Sequence, residues 1–274
     1  MHIIETRNLT YVYHGKTKAL DNINFKVERG EKVVLLGSNG AGKSTLFKHF
    51  NGILKPTSGQ VLIKGEPITK KNILEVRKTV GLVFQDPDDQ IFSPTVKQDI
   101  AFGPMNLGLP KETIEHRVET ALKLVGLEGL EDRVPHHLSG GQKKRVAIAG
   151  ILAMEPQVMV LDEPTAGLDP DGIEKIIELI NNLNKKYGIT IILSTHDVDI
   201  VPEFADRVCV MAQGKIICER TPKRVFVNQK ALRDLHLRLP KVTHLLSQLQ
   251  EHGVPVGLEL TVDGAREELL RVLN

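Results

Sequence analysis

Short apolar runs broken by glycine, proline and charged turns mark the first third of the chain, and helical spacing marks much of the rest. Ile3-Ile4-Glu5, Leu9-Thr10-Tyr11-Val12-Tyr13 and Leu20–Val27 read as antiparallel strands, with turns expected at Asn8 and at His14-Gly15. Glu31–Leu36 is a short apolar strand, and Leu46–Phe50 after it reads as helix. Pro56–Gly59 turns the chain into a hairpin over 60–68, and Val80–Phe84 has the pattern of a buried strand that ends in the polar, proline-broken run Gln85–Gln90. Residues 95–133 read as helical; Ile114, Val118, Ala121, Leu122 and Val125 share a face and Gly126 stops the run. Residues 143–149 read as helix, Gln157–Leu161 as an apolar strand, 173–187 as helix, Ile189–Thr195 as another core strand, and 208–218 as a hairpin turning at Gln213-Gly214. Two short helical patterns, 242–252 and 263–272, close the chain.

Chemistry enters between the first apolar strand and its helix. Gly37-Ser38-Asn39-Gly40-Ala41-Gly42-Lys43-Ser44-Thr45 fits G-x-x-x-x-G-K-[ST], in the strand–turn–helix setting that the motif requires. Glycines let backbone N–H groups turn inward as an anion nest, and the helix N-terminus adds free donors and its positive dipole end. Lys43 would then reach the β- and γ-phosphates of a nucleotide, and the Ser44 hydroxyl would hold Mg2+. Asp162 ends an apolar strand, where it can assist that metal, and Glu163 beside it can accept a proton from water. Gln85 and His196 also follow strands, and in open α/β sheets that edge is where ligands bind. Gln85 reads either as a contact to metal or attacking water, or as part of a solvated turn. Tyr11 and Tyr13 share a strand face; either stacks on a base or simply packs the sheet. Ser139 caps a helix after Leu138-Ser139-Gly140-Gly141-Gln142, a second anion-friendly helix start without a P-loop lysine, or else an ordinary capped helix.

Composition narrows the class. The chain has 274 residues, 41% hydrophobic and 26% charged, ordinary for a soluble globular protein of one large domain with a small appendage. A net charge of +2 gives no basic field for nucleic acid. Cys209 and Cys218 are too few for a disulfide framework and fit a reducing compartment. No apolar run approaches a membrane span and the N-terminus shows no signal pattern, so membrane association is expected to come through a partner.

Taken in order, these segments resemble the nucleotide-binding subunit of ABC transporters over about residues 3–225. Gly37–Thr45 is similar to the Walker A motif, Gln85 to the Q-loop, Leu138–Gln142 to the LSGGQ signature, Val158–Asp162 to Walker B with Glu163 following, Gly167-Leu168-Asp169 to the D-loop, and His196 to the switch histidine. The resemblance implies a P-loop NTPase core of mixed sheet, an antiparallel β subdomain, a helical subdomain over about 90–155 carrying LSGGQ, and a small C-terminal extension, divided as 1–228 and 229–274. It implies an ATPase using ATP and Mg2+, with Tyr13 stacking on adenine, Ser44, Gln85 and Asp162 at the metal, and Glu163 and His196 in catalysis. It also implies a head-to-tail pair in which Ser139, Gly140, Gly141 and Gln142 face the ATP of the other subunit and Asp169 couples the two. The second subunit would be an identical copy or a close paralogue.

A narrower resemblance is to the ATPases of energy-coupling-factor and cobalt/nickel importers. Gln85–Phe92 looks like their extended Q-loop region, apart from Asp89 where asparagine is frequent, and the tail with Leu239-Pro240 and Gly253 is similar to theirs. That likeness implies a peripheral protein at the cytoplasmic membrane face, with a transmembrane coupling protein and a substrate-capture membrane protein as partners. Two other classes stay open, a soluble ABC-type ATPase acting on nucleic acid or ribosomes and a small-molecule P-loop kinase, while Lys43, Asp162 and Glu163 argue against a third, a nonhydrolysing regulatory module. The first would favour long coiled-coil insertions or two ATPase halves, and the second needs no LSGGQ segment.

Overall fold

The computed structural model describes residues 2–227, 232 and 237–273. Two sheets form the body. One is antiparallel, in the order β2-β1-β4-β5, built from β1 (Ile4–Val12), β2 (Lys18–Val27), β4 (Ser58–Ile63) and β5 (Glu66–Pro67). The other has six strands in the order β10-β9-β3-β8-β7-β6. In it β3 (Lys32–Leu36), β6 (Val80–Val83), β7 (Val158–Asp162), β8 (Thr190–Thr195) and β9 (Arg207–Ala212) run parallel, and β10 (Lys215–Arg220) pairs antiparallel at the edge. The fold is α/β, with a mixed sheet and an antiparallel one.

The central strands read as continuous apolar runs because both their faces are covered. Val33, Leu35, Val158, Val160 and Ile192 pack toward the antiparallel sheet, with α1 (Lys43–Phe50) contributing Leu46, Phe47 and Phe50. The alternate residues Val34, Leu36, Met159, Leu161, Ile191 and Leu193 pack toward helices on the opposite face. Those helices include α3 (Val96–Asn106), α4 (Lys111–Leu124), α5 (Gly140–Leu152) and α6 (Pro170–Tyr187). α2 (Ile73–Thr79) leads into β6, α7 (Val201–Phe204) into β9, and α8 (Pro222–Phe226) follows β10.

Three expectations are corrected. Asn8 is not a turn: β1 runs unbroken through it, with Asn8 at φ 48° and a register shift against β2 between Thr6 and Leu9. Asparagine tolerates left-handed backbone, so one bulged residue takes up the irregularity and pairing resumes beyond it. Residues 95–133 are not one helical stretch. Gly108, at φ 70°, and Pro110, the N-cap of α4, separate α3 from α4, and helix stops at Leu124. Tyr13 lies just past the end of β1 and not within it.

Beyond α8 the described chain forms α9 (Lys241–Glu251) and α10 (Val262–Leu273), which share a small apolar cluster of Leu246, Val256 and Ala265. The expected boundary at 228/229 lies outside the described residues. Among the described residues no helix is long and apolar enough to cross a membrane.

Candidate functional site

The parallel strands β3, β6, β7 and β8 all end at one edge of the sheet. Gly37 follows β3, Gln85 follows β6, Asp162 ends β7 with Glu163 next, and His196 follows β8. Neighbouring parallel strands thus place an anion nest, a carboxamide, two carboxylates and an imidazole along one rim.

The nest is built from the backbone. Gly40 and Gly42 have φ 79° and 103°, conformations open to glycine at little cost. A Cβ on Gly42 would also stand 2.6 Å from the Ala19 carbonyl oxygen, so glycine there serves close packing as well. Gly42 caps α1 without any side-chain hydrogen bond, leaving the first-turn N–H groups to an outside acceptor. The Lys43 ammonium donates to the carbonyls of Gly37 (2.7 Å) and Ser38 (3.3 Å) and stands 3.8 Å from a Glu163 carboxylate oxygen. Tyr13 lies at the rim, its hydroxyl 3.1 Å from the Thr45 hydroxyl, while its ring meets Tyr11 edge-on. A cavity of about 420 Å³ joins Tyr13, Asn39–Thr45, Gln85, Asp162 and Glu163.

Both acids are buried. Asp162 accepts a hydrogen bond from the Ser194 hydroxyl at 2.6 Å, and that hydroxyl accepts the Glu163 N–H at 3.0 Å. Glu163 has φ 48°, a left-handed conformation unusual outside glycine, and its carboxylate lies 2.7 Å from His196 Nδ1. Its oxygens therefore sit between Lys43 and His196 at the floor of the cleft.

A second cavity, of about 780 Å³, adjoins the first and is lined by Ser44, Gln85, Asp162, Gly140, Lys144 and Leu168 among others. Gln85 is exposed and lines both cavities. Ser44, Gln85 and Asp162 offer a hydroxyl, an amide carbonyl and a carboxylate around one space, the hard oxygen set that suits Mg2+. Among the described residues there is no group of three or more His, Cys, Asp or Glu that could hold a metal on its own.

Ser139 and Gln142 form a capping box at the start of α5: Ser139 Oγ accepts the Gln142 N–H and Gln142 Oε1 accepts the Ser139 N–H. The Gln142 side chain is thereby turned back on its own helix. Ser139 and Gly140 are exposed and Gly141 is half-buried. Asp169 caps α6 through the Gly172 N–H at 2.8 Å.

Four contributors escaped the sequence reading. Ser194 is one; the cue is a polar residue inside a core strand, directly after Ile191-Ile192-Leu193. Gln90 accepts the Phe84 N–H at 3.0 Å and so holds the loop that carries Gln85. Lys143 pairs with Asp88 at 2.8 Å, tying α5 to that same loop. Lys144 is buried, and its ammonium donates to the carbonyls of Ala166 (2.6 Å) and Glu163 (3.3 Å). Burial pulls its ammonium below the usual lysine range, against the opposing pull of Glu163 and Asp86.

Comparison with known proteins gives consistent likenesses. The family described as ABC transporter matches residues 20–166. The energy-coupling factor transporter ATP-binding protein EcfA of Methanocaldococcus jannaschii is 62% identical, with 100% of this chain and 99% of that protein covered. EcfA of Methanoculleus marisnigri is 57% identical over 98% of each. Among solved structures, CbiO1 of Clostridium perfringens, described as part of the ABC transporter complex CbiONQ, is 51% identical with a TM-score of 0.77, covering 90% of this chain and 99% of its own. The ATP-binding cassette MJ0796, solved as a dimer in a post-hydrolysis state with ADP and Pi, is 30% identical with a TM-score of 0.73, covering 80% of this chain and 98% of its own.

Proposed function

We propose, from the premise that this chain belongs to the ABC transporter family of ATP-hydrolysing subunits, that it is the ATPase of an energy-coupling-factor importer. Its cargo would be a cobalt or nickel ion or a vitamin, chosen by the membrane proteins it works with. One observation carries the chemical part: the Glu163 carboxylate, buried at the cleft floor, lies between Lys43 Nζ at 3.8 Å and His196 Nδ1 at 2.7 Å. A carboxylate held there polarises an attacking water and takes its proton. Lys43 and the open first turn of α1 hold the β- and γ-phosphates, His196 steadies the γ-phosphate, and Tyr13 stacks on adenine. Ser44, Gln85 and Asp162 would hold Mg2+, which neutralises charge on the phosphate oxygens when bound.

In this reading two chains meet head to tail, and Ser139, Gly140 and Gly141 of one cover the γ-phosphate held by Lys43 of the other. Such an arrangement uses the same patches twice and closes on itself. Moving the pair from 1:99 to 99:1 closed takes roughly 5.5 kcal/mol of preferential nucleotide binding. Asp169, the N-cap of α6, would couple the two chains through the D-loop segment Gly167-Leu168-Asp169. The second chain is an identical copy or a close paralogue. The EcfA relatives and the Gln85–Phe92 segment support the importer reading, with a transmembrane coupling protein and a substrate-capture protein as partners at the cytoplasmic membrane face. The division into 1–228 and 229–274 belongs to the same proposal, supported by the separate apolar cluster of α9 and α10.

The test is Glu163→Gln. It should keep ATP affinity, lose turnover and accumulate as a closed dimer with Mg-ATP, read by light scattering after size exclusion. Normal turnover removes Glu163 from the mechanism.

A further inference from the structure

We propose that Lys144 is a positioning residue for ATP hydrolysis, reaching from the signature helix to pin the peptide of Glu163 and so to aim its carboxylate. The inference rests on the reading of Glu163 as the residue that polarises water.

A non-glycine residue at φ 48° persists only where its surroundings over-determine it. At Glu163 three hydrogen bonds do so. The N–H donates to Ser194 Oγ at 3.0 Å, and the carbonyl accepts both the Ala166 N–H at 3.1 Å and Lys144 Nζ at 3.3 Å. The first two come from the strand edge and from the turn itself. The third comes from α5, a separate element that packs with α3 and α4. The same ammonium holds the Ala166 carbonyl at 2.6 Å, so one side chain staples both ends of the turn from Glu163 to Ala166. Lys144 is only 7% exposed, and its buried ammonium is held by these two carbonyls with the added attraction of the Glu163 and Asp86 carboxylates.

The consequence is geometric. If the Glu163 peptide rotates toward ordinary backbone, the carboxylate swings away from His196 and Lys43. The placement of α5 thus sets the aim of Glu163. Ser139 and Gly140 begin the same helix, five and four residues before Lys144. A chain whose signature engages nucleotide across the dimer would hold its own Glu163 ready by this link.

The experiment uses the full chain with Lys144→Met, which keeps length and apolar bulk and removes the donor, and Lys144→Arg, which keeps a charged donor. Lys144→Met is expected to lose roughly 10- to 100-fold in kcat while ATP affinity, read by equilibrium titration, stays within about twofold. Lys144→Arg should restore most of the rate. Wild-type kcat in Lys144→Met, a matching loss of ATP affinity, or no rescue by arginine would overturn the proposal. Should the methionine variant not fold, Lys144→Gln, whose shorter neutral amide cannot span both carbonyls, is read by the same criteria. Glu163→Gln is assayed in parallel. If it is inactive while Lys144→Met is normal, only the role of Lys144 falls; if it turns over normally, the reading of Glu163 falls and this inference with it.

Discussion

Ser194 is the sharpest place to test how the two acids are held. It is wholly buried near the end of β8, donates to Asp162 at 2.6 Å and accepts the Glu163 N–H at 3.0 Å. Ser194→Ala removes both bonds and leaves the rest of the side chain's volume nearly unchanged. A hydrogen bond to a charged acceptor contributes about 1.5–3 kcal/mol, and a buried N–H left without a partner costs about 1–3 kcal/mol. The two losses do not sum in full, because Asp162 and Glu163 border a cavity that admits water. A net destabilisation of about 2–4 kcal/mol is expected. At about 2–3 °C per kcal/mol for a chain of this size, the thermal midpoint drops by about 4–12 °C. Turnover at 25 °C should fall more than the folded fraction does, since Glu163 keeps its fold but loses the bond that fixes its N–H. Far-UV circular dichroism melts and a coupled ATPase assay read the two effects separately. A midpoint within about 1 °C of wild type, together with unchanged kcat, would show that the serine bridge holds neither acid.

Lys43→Ala should abolish ATP binding in a direct titration, and an unaltered affinity would refute the role given to that ammonium. Phe92 and Phe102 meet edge-on at 4.7 Å and both are exposed, beside exposed Met105, so a coupling helix of the membrane partner is expected to dock there. Phe102→Glu should then weaken co-purification with that partner while the isolated chain keeps its ATPase rate and its stability within about 0.5 kcal/mol; equal co-purification would move the docking site elsewhere. Burial raises the Glu31 carboxyl, but hydrogen bonds from Arg207 and the Glu28 N–H outweigh it and hold the group below its ordinary value of 4.5. A folded pKa below the unfolded one means stability that is present above about pH 4.5 and is lost as pH falls through the lower folded value. Glu31→Gln should flatten the acid limb of the stability profile, and an unchanged limb would assign that limb to other carboxylates.

The core strands were legible because each is buried on both faces and therefore reads as an unbroken apolar run; α2, α7 and α8 were not read, being only seven, four and five residues long, too short to show a helical period. The rim was legible for a related reason. Gln85, Glu163 and His196 are polar residues that immediately follow such runs, and parallel pairing puts the ends of neighbouring strands side by side. Asn8 misled because a bulge and a turn use the same left-handed asparagine, and only the partner strand distinguishes them. The break at Leu107–Pro110 had its own signal in Gly108 and Pro110, which the helical reading of 95–133 passed over. Ser194 was missed because its value depends on β7 lying beside β8 in one register, with Asp162 opposite Ser194, and no local pattern carries register between distant strands.

Lys143 and Lys144 show where reading along the chain stops. Written in sequence, Lys143-Lys144-Arg145 is a run of charge after a helix cap, and such a run ordinarily faces solvent. A helix turns about 100° per residue, so adjacent lysines must leave it in different directions. One reaches Asp88 on the loop that carries Gln85, and the other goes under the turn that carries Glu163. Arg145 turns back to the carbonyls of Val125 and Gly126 behind α4. Three successive cations thus fasten one helix to three separate loops, two of which frame the nucleotide cleft. A shift of α5 would either break these contacts or carry the groups around Gln85 and Glu163 with it. The position of the LSGGQ helix relative to the catalytic rim is therefore tied to the charges that follow the motif and not to the motif alone.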